Sequence, residues 1–229
     1  MIKDPPLLTI KRGFVRPPAE LVERFRGVPT GYLVDAMGGR GALHHTIQAL
    51  FPDKAALIGV ALTCHCGPAD NLALCGALDV AVSGDVIVAG TDGFTGTAVT
   101  GDLLLGMARN RGVAGFVTDG LVRDIPGIEA VGLPVYCAGV TPNSPARNGP
   151  GTVGFPLMLG DVAVHPGDIV VGDRDGVVVV PRLEAEAVLA RLPAIKAAEQ
   201  ALEAKVRAGL EVPDFVRAVL QSDKTSYVD

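Results

Sequence analysis

The stretch GDLLLGMARNRGVAGFVTDGLVRD, residues 101–124, decides the fold class. Its first part, Gly101 to Asn110, places leucines at helical spacing and stops just before Gly112, a residue suited to the left-handed position that closes a helix. Gly115 to Thr118 is then a short apolar run of the kind a buried strand carries, and Asp119-Gly120 is turn chemistry. Upstream, Ser83-Gly84 turns into Asp85 to Ala89, a second apolar strand, and a Gly/Thr-rich loop from Gly90 to Thr100 joins it to the helix. Strand, loop, helix, strand in that order predicts an α/β domain of layered sheets and helices.

Working outward, Pro17 to Gly27 and Thr30 to Met37 read as short helices, the second with Thr30 as its N-cap. Ala55 to Cys66 is apolar throughout and predicts a buried strand, and Asp70 or Asn71 caps a helix running to about Ala81. Leu133 to Ala138 is another strand, and Thr141 to Gly151 is a polar, proline-rich loop. Strands follow at Val153 to Leu159, Val162 to Val164, Ile169 to Val171 and Val177 to Val180. Arg182 to Arg207 has the composition of a long helix that Pro193 kinks or splits, and a last short helix covers Pro213 to Gln221. Ser83–Gly93 and Pro166–Gly176 echo each other, both placing Gly-Asp before an apolar strand and Asp-Gly after it, and are read as two similar hairpin edges. No domain boundary stands out, so residues 1–229 are expected to form one domain with a helical C-terminal extension.

The bulk numbers exclude several functions. The apolar fraction is 48% of 229 residues, enough for a sizeable core and for surface buried against further copies of the chain. A formal charge of −5 with no Lys/Arg run lacks the footprint of a nucleic-acid binder or of an anionic membrane surface. No stretch approaches the roughly 18 consecutive apolar residues of a membrane span. Asp4, Lys11 and Arg12 interrupt any signal-like apolar core near the N-terminus, so the expected compartment is the cytoplasm, where Cys64, Cys66, Cys75 and Cys137 stay reduced.

Both Gly101-Asp102 and Arg123-Asp124 fall where strands end, the place at which open α/β sheets collect ligands. A helix starting near Gly101 aims free N–H groups at an anion, and the glycine lets the backbone approach it. Arg123 can bind a carboxylate bidentately or neutralise charge developing on an enolate oxygen. Asp124 is a hard oxygen ligand suited to Mg²⁺ or Mn²⁺, which often take one or two carboxylates and complete their shell with water and substrate. An Arg-Asp pair in a turn is also a common surface ion pair, and the pair alone does not separate the two readings.

The spacing does. Asp102, twenty residues, then Arg123-Asp124 resembles the signature of the class II pyruvate aldolases that cleave 4-hydroxy-4-methyl-2-oxoglutarate, a superfamily that includes the regulators of ribonuclease E activity A. Pro68-Ala69-Asp70-Asn71 resembles the family's Pro-Gly-Asp-Asn, Gly112 to Asp124 its central block, and Val34-Asp35-Ala36-Met37-Gly38 its early helix end. The resemblance implies a swivelling, phosphohistidine-type layered β/β/α domain that assembles as a homotrimer or hexamer. It also implies substrate held on the amides of Gly101, Asp102, Leu103 and Leu104, with Arg123 as substrate arginine, Asp124 as metal ligand and Asp102 holding water or helping proton transfer. The activity it implies is retro-aldol cleavage of a 4-hydroxy-2-oxo diacid to pyruvate through an enolate, with oxaloacetate decarboxylase side activity. Characterised aldolases add an acidic residue from a neighbouring subunit; Glu199 lies in a suitable helix and equally suits a solvated helix face. Ala69 in place of glycine and Cys75 where aldolases often carry histidine are departures that bear on the exact substrate.

Other signals read more plainly. Cys64-His65-Cys66 has no second ligand pair at zinc spacing, and in a strand its cysteines share one face while His65 points the other way. His44-His45 reads as a loop pair or as lining of a pocket mouth. The competing function is a non-catalytic protein-interaction module that regulates a ribonuclease.

Overall fold

The computed structural model describes residues 4–228. In chain order its first elements are β1 (Leu8–Ile10), α1 (Ala19–Glu23), α2 (Thr30–Ala36), β2 (Gln48–Ala49) and the long strand β3 (Leu57–His65). The middle of the chain carries α3 (Leu72–Val80), β4 (Asp85–Gly90), β5 (Ala98–Thr100), α4 (Asp102–Asn110), β6 (Gly115–Thr118), β7 (Leu121–Val122), α5 (Ile125–Val131), β8 (Val135–Cys137) and β9 (Gly139–Val140). The last part carries β10 (Gly151–Val153), β11 (Leu157–Leu159), β12 (Val162–Val164), β13 (Ile169–Asp173), β14 (Gly176–Val180), α6 (Ala185–Arg207) and α7 (Asp214–Leu220).

β3 organises the largest sheet. One of its edges pairs in parallel with β4 from Val60 to His65. The other edge is shared: β13 runs antiparallel to Leu57–Val60, and β10 antiparallel to Cys64 and His65. β6 and β8 continue the parallel run beyond β4, and β1 and β2 close the two ends. Strands buried on both faces read as continuous apolar runs, which is why β3 and β4 were visible in the sequence.

Three apolar cores set the layers. On one face of the central strands, Leu62, Ile87 and Phe116 meet Leu74, Leu105 and Ile128 from α3, α4 and α5. On the other face, Ala61, Val86, Val88 and Val117 meet Leu157, Leu159, Val170, Val177 and Val179, so β11, β13 and β14 form a second β layer. The outer side of that layer, Ile169, Val171, Val178 and Val180, packs under Leu33, Val188 and Leu189 of α2 and α6. The four valines 177–180 thus divide between two cores by strand alternation. The fold is mixed α/β, as the order of elements predicted.

Several expectations change in detail. Val153 to Leu159 is two strands, not one: β10 belongs to the large sheet and β11 pairs only with β12. Gly154, left-handed at φ +79, breaks the run, and a side chain there would collide with the Lys11 carbonyl. Thr30 is the first residue of α2 rather than its cap; its N–H and hydroxyl both donate to Asp173, each at 2.8 Å. Pro193 sits inside an unbroken α6. Of the two Gly-Asp echoes, only the second opens a hairpin, β13–β14, whereas β4 lies parallel between β3 and β6. What the echoes share is the turn: Asp85 accepts from Val82 N at 3.0 Å, and Asp168 from His165 N at 2.9 Å.

Candidate active site

β5, β7 and β9 form a separate three-stranded parallel sheet in the order β5-β7-β9. Their carboxyl ends lie side by side, so Gly101, Arg123 and the loop starting at Thr141 emerge on one rim. Main-chain bonds hold it together: Arg123 N donates to Thr100 O at 3.1 Å and Thr141 N to Val122 O at 3.0 Å. A cavity of about 70 Å³ opens there, lined by Asn71, Thr100, Gly101, Asp102, Leu103, Leu104, Arg123, Asp124, Pro145 and Arg147. All six residues singled out in the sequence, Gly101, Asp102, Leu103, Leu104, Arg123 and Asp124, therefore meet at one place.

Gly101 also meets a steric requirement. Its backbone is extended, and a Cβ on it would lie 2.5 Å from Asp124 Oδ2 and 3.2 Å from Arg123 Cγ. The missing side chain makes room for the Arg-Asp pair. Asp124 is a left-handed residue, φ 62 and ψ 47, at the N-cap of α5, a conformation aspartate tolerates better than most residues. Its Oδ2 lies 3.3 Å from Arg123 Nε, while Arg123 Nη1 donates to Ser144 Oγ. Asp102 opens α4, where a carboxylate suits the positive end of the helix. It packs against Gly127 of α5, where a Cβ would come within 2.6 Å of the Asp102 Cβ. The first intrahelical donor of α4 is Leu105 N, to Gly101 O at 3.3 Å, so the N–H groups of Asp102, Leu103 and Leu104 have no partner within the helix.

Five contributors were not read from the sequence as parts of a site. Arg147 brings a second cation to the rim, and Ser144 holds the first. Asp70, almost fully buried, ties this loop to α3: it accepts from Leu72 N at 2.8 Å, Asn148 N at 2.5 Å and Gly149 N at 3.1 Å. Asn71, expected with Asp70 as one of two alternative caps and as the end of the Pro-Ala-Asp-Asn motif, stands at the N-cap position of α3, makes no capping bond with its side chain and lines the cavity. Gly127 is visible only once α5 is seen against Asp102.

Other candidates lie elsewhere. Glu199 is on the exposed distal half of α6 and does not line this cavity. His44 lines a different cavity with Asp92 and Asp119, and its ring lies against that of His45, centroids 4.2 Å apart and the planes tilted by 42°. Cys64 and Cys66 are buried in the core, where the hydrogen bond to Cys66 and burial push the Cys64 thiol well up, while His65 points outward to Asp92 at 2.8 Å. Among the described residues no cluster of three or more His, Cys, Asp or Glu is placed to hold a metal.

A family model described as RraA-like, Aldolase/RraA, matches residues 30–179, more than half of the chain and the whole of this rim. The chain belongs to the RraA-like family. Within that family it is 38% identical over 184 residues to a Halalkalibacterium halodurans protein named "Putative 4-hydroxy-4-methyl-2-oxoglutarate aldolase", covering 80% of this chain and 87% of that one. Among solved structures, Streptomyces coelicolor RraAS2, described as an unusual member of the RNase ES inhibitor RraA protein family, superposes with a TM-score of 0.74 at 30% identity, covering 83% of this chain and 99% of that one. The RNA-processing inhibitor RraA from Thermus thermophilis gives 0.62 at 28%, covering 67% and 93%. The proteins this chain resembles thus carry the names of an aldolase, of a member of an RNase ES inhibitor family and of an RNA-processing inhibitor. No helix among the described residues is long and apolar enough to cross a membrane.

Proposed function

We propose that this RraA-like protein is a divalent-metal-dependent carbon–carbon lyase that cleaves a 4-hydroxy-2-oxo diacid to pyruvate by a retro-aldol reaction and decarboxylates oxaloacetate at the same site. The observation that carries this reading is the meeting of free α4 amides, a guanidinium and two carboxylates on one small cavity. The donor set fits a hard cation: Asp124 offers a partly exposed carboxylate, and Mg²⁺ or Mn²⁺ accept one or two such ligands beside water and substrate. It does not fit zinc, which takes three or four protein ligands. Asp124 is the residue that would hold the ion, which supplies Lewis-acid polarisation of the 2-oxo acid when bound.

The chain's own groups account for the rest. The amides of Leu103 and Leu104 seat the substrate carboxylate at the helix N-terminus. A base held by Asp102 takes the proton from the C4 hydroxyl. The C3–C4 bond then breaks, C4 leaves as a carbonyl, and the electron pair forms the pyruvate enolate. Arg123, set by Ser144 and Asp124, neutralises the enolate oxygen, and protonation at C3 releases pyruvate.

The test is pyruvate formation from 4-hydroxy-4-methyl-2-oxoglutarate and from oxaloacetate under one set of conditions. A kcat/KM favouring the hydroxy diacid supports an aldolase, a value favouring oxaloacetate a decarboxylase, and no pyruvate from either ends the proposal. Gly127→Ala is expected to displace Asp102 by about 1 Å and to lower kcat about 10²-fold, the cost of such a misplacement. A kcat within a factor of two of wild type would show that Asp102 does not need its present position.

The structural likeness to a member of the RNase ES inhibitor RraA family and to an RNA-processing inhibitor favours a second reading, binding to a ribonuclease through the surface. Capture of a ribonuclease by both wild type and Arg123→Ala would assign that interaction to a surface independent of the cavity. We also read this protein as a trimer or hexamer of one-domain subunits in the cytoplasm. Leu103, 76% exposed beside Asp102, and Met107, 51% exposed one turn on, form an apolar face that suits cover by a second copy. A monomeric mass in solution would remove that part.

A further inference from the structure

Asn71 brings to the rim a buried side-chain oxygen whose hydrogen bonding is unfinished. It is 2% exposed, its Nδ2 donates to Val99 O at 2.9 Å, and its Oδ1 is the one buried side-chain polar atom among the described residues without a partner. Val99 O offers only an acceptor, so the amide nitrogen faces it and the oxygen is left free. Buried amide oxygens in native proteins are met by a protein donor, an ordered water or a ligand. Asn71 lines the same small cavity as Asp102 and Arg123.

We propose that Asn71 is a positioning residue for the water that serves as base in the cleavage reaction. The inference rests on the pyruvate-forming reading above. The 2-oxo acid half of the substrate presents only acceptors, and the single proton of its C4 hydroxyl has to leave with the base, so the missing donor is a water. A water that donates one O–H to Asn71 Oδ1 and the other to the Asp102 carboxylate keeps a lone pair for the hydroxyl proton. With the substrate hydroxyl it then has three polar partners, the usual number for a buried water. As it takes that proton it passes its own to Asp102, leaving neutral water and a protonated carboxyl. The amide oxygen is too weak a base to take part, so Asn71 holds and orients.

Oxaloacetate decarboxylation starts from a carboxylate already deprotonated and needs no such base. The experiment is therefore kcat/KM for 4-hydroxy-4-methyl-2-oxoglutarate divided by kcat/KM for oxaloacetate, in wild type, Asn71→Ala and Asn71→Asp. The ratio is independent of how much of each preparation is folded. Asn71→Ala is expected to lower it about 10-fold, the worth of one neutral hydrogen bond. Asn71→Asp keeps an acceptor oxygen and loses the donor to Val99, and is expected to hold the ratio within about 3-fold of wild type. A ratio unchanged in Asn71→Ala overturns the proposal. So does an equal loss in both variants, which would place the role in the Val99 bond. Wild type that forms pyruvate from neither substrate removes the underlying reading; turnover of both with an unchanged ratio removes only the role of Asn71.

Discussion

Replacing Arg123 with alanine is expected to lower kcat for pyruvate release by about 10²–10³-fold, the loss that follows removal of a preorganised donor to a developing oxyanion. The size of the effect comes from how the guanidinium is held. Nη1 donates to Ser144, Nε faces Asp124 at 3.3 Å, and the side chain is only 37% exposed, so little reorganisation is needed when charge appears on the substrate oxygen. Arg123→Lys keeps the charge and loses the planar fork, and it cannot hold Ser144 and the enolate oxygen together. It should recover only part of the loss. Steady-state assays coupled to pyruvate detection measure both variants, and an alanine variant keeping half of wild-type kcat would take Arg123 out of the reaction.

Arg16→Ala is expected to cost about 3 kcal/mol of stability, the range found when one partner of a buried ion pair is removed. Asp85 is 1% exposed and receives two parallel bonds from Arg16, Nε to Oδ1 and Nη2 to Oδ2, both at 2.8 Å. The same guanidinium lies 4.0 Å over the Phe14 ring. Truncation leaves a charge at the head of β4 with Val82 N as its remaining donor. Adding Asp85→Asn should recover much of the loss, because the buried group is then neutral. Chemical denaturation of the single and double variants decides it; a single variant within about 0.5 kcal/mol of wild type would show that water already reaches Asp85.

These two residues mark what a sequence discloses and what it withholds. Arg123 and Asp124 announce themselves by spacing from Asp102, and β3, β4, α4 and β6 by apolar runs that need no partner to be recognised. Arg16 pairs with a residue 69 positions away, and nothing local records it. The rim is similarly concealed, because β7 and β9 have two residues each and β5 three, too few for a period. α5 was missed because it follows directly on the Arg-Asp turn with Pro126 in its first turn and Gly127 next, residues that read as loop. Asn71 was legible as a helix start, yet its orphaned oxygen depends on where Val99 comes to lie. Arg147 sits in a proline-rich loop whose path is fixed by Asp70, a contact across 78 residues.

In the function proposed above, a divalent ion and Arg123 together turn this cavity toward pyruvate. Pyruvate release from 4-hydroxy-4-methyl-2-oxoglutarate, measured with Mg²⁺ present and again after EDTA, tests this most directly. Turnover that is abolished by EDTA and restored by added Mg²⁺ or Mn²⁺ is the result predicted. Pyruvate formed at the same rate in EDTA, or none formed by well-folded protein in Mg²⁺, would contradict it.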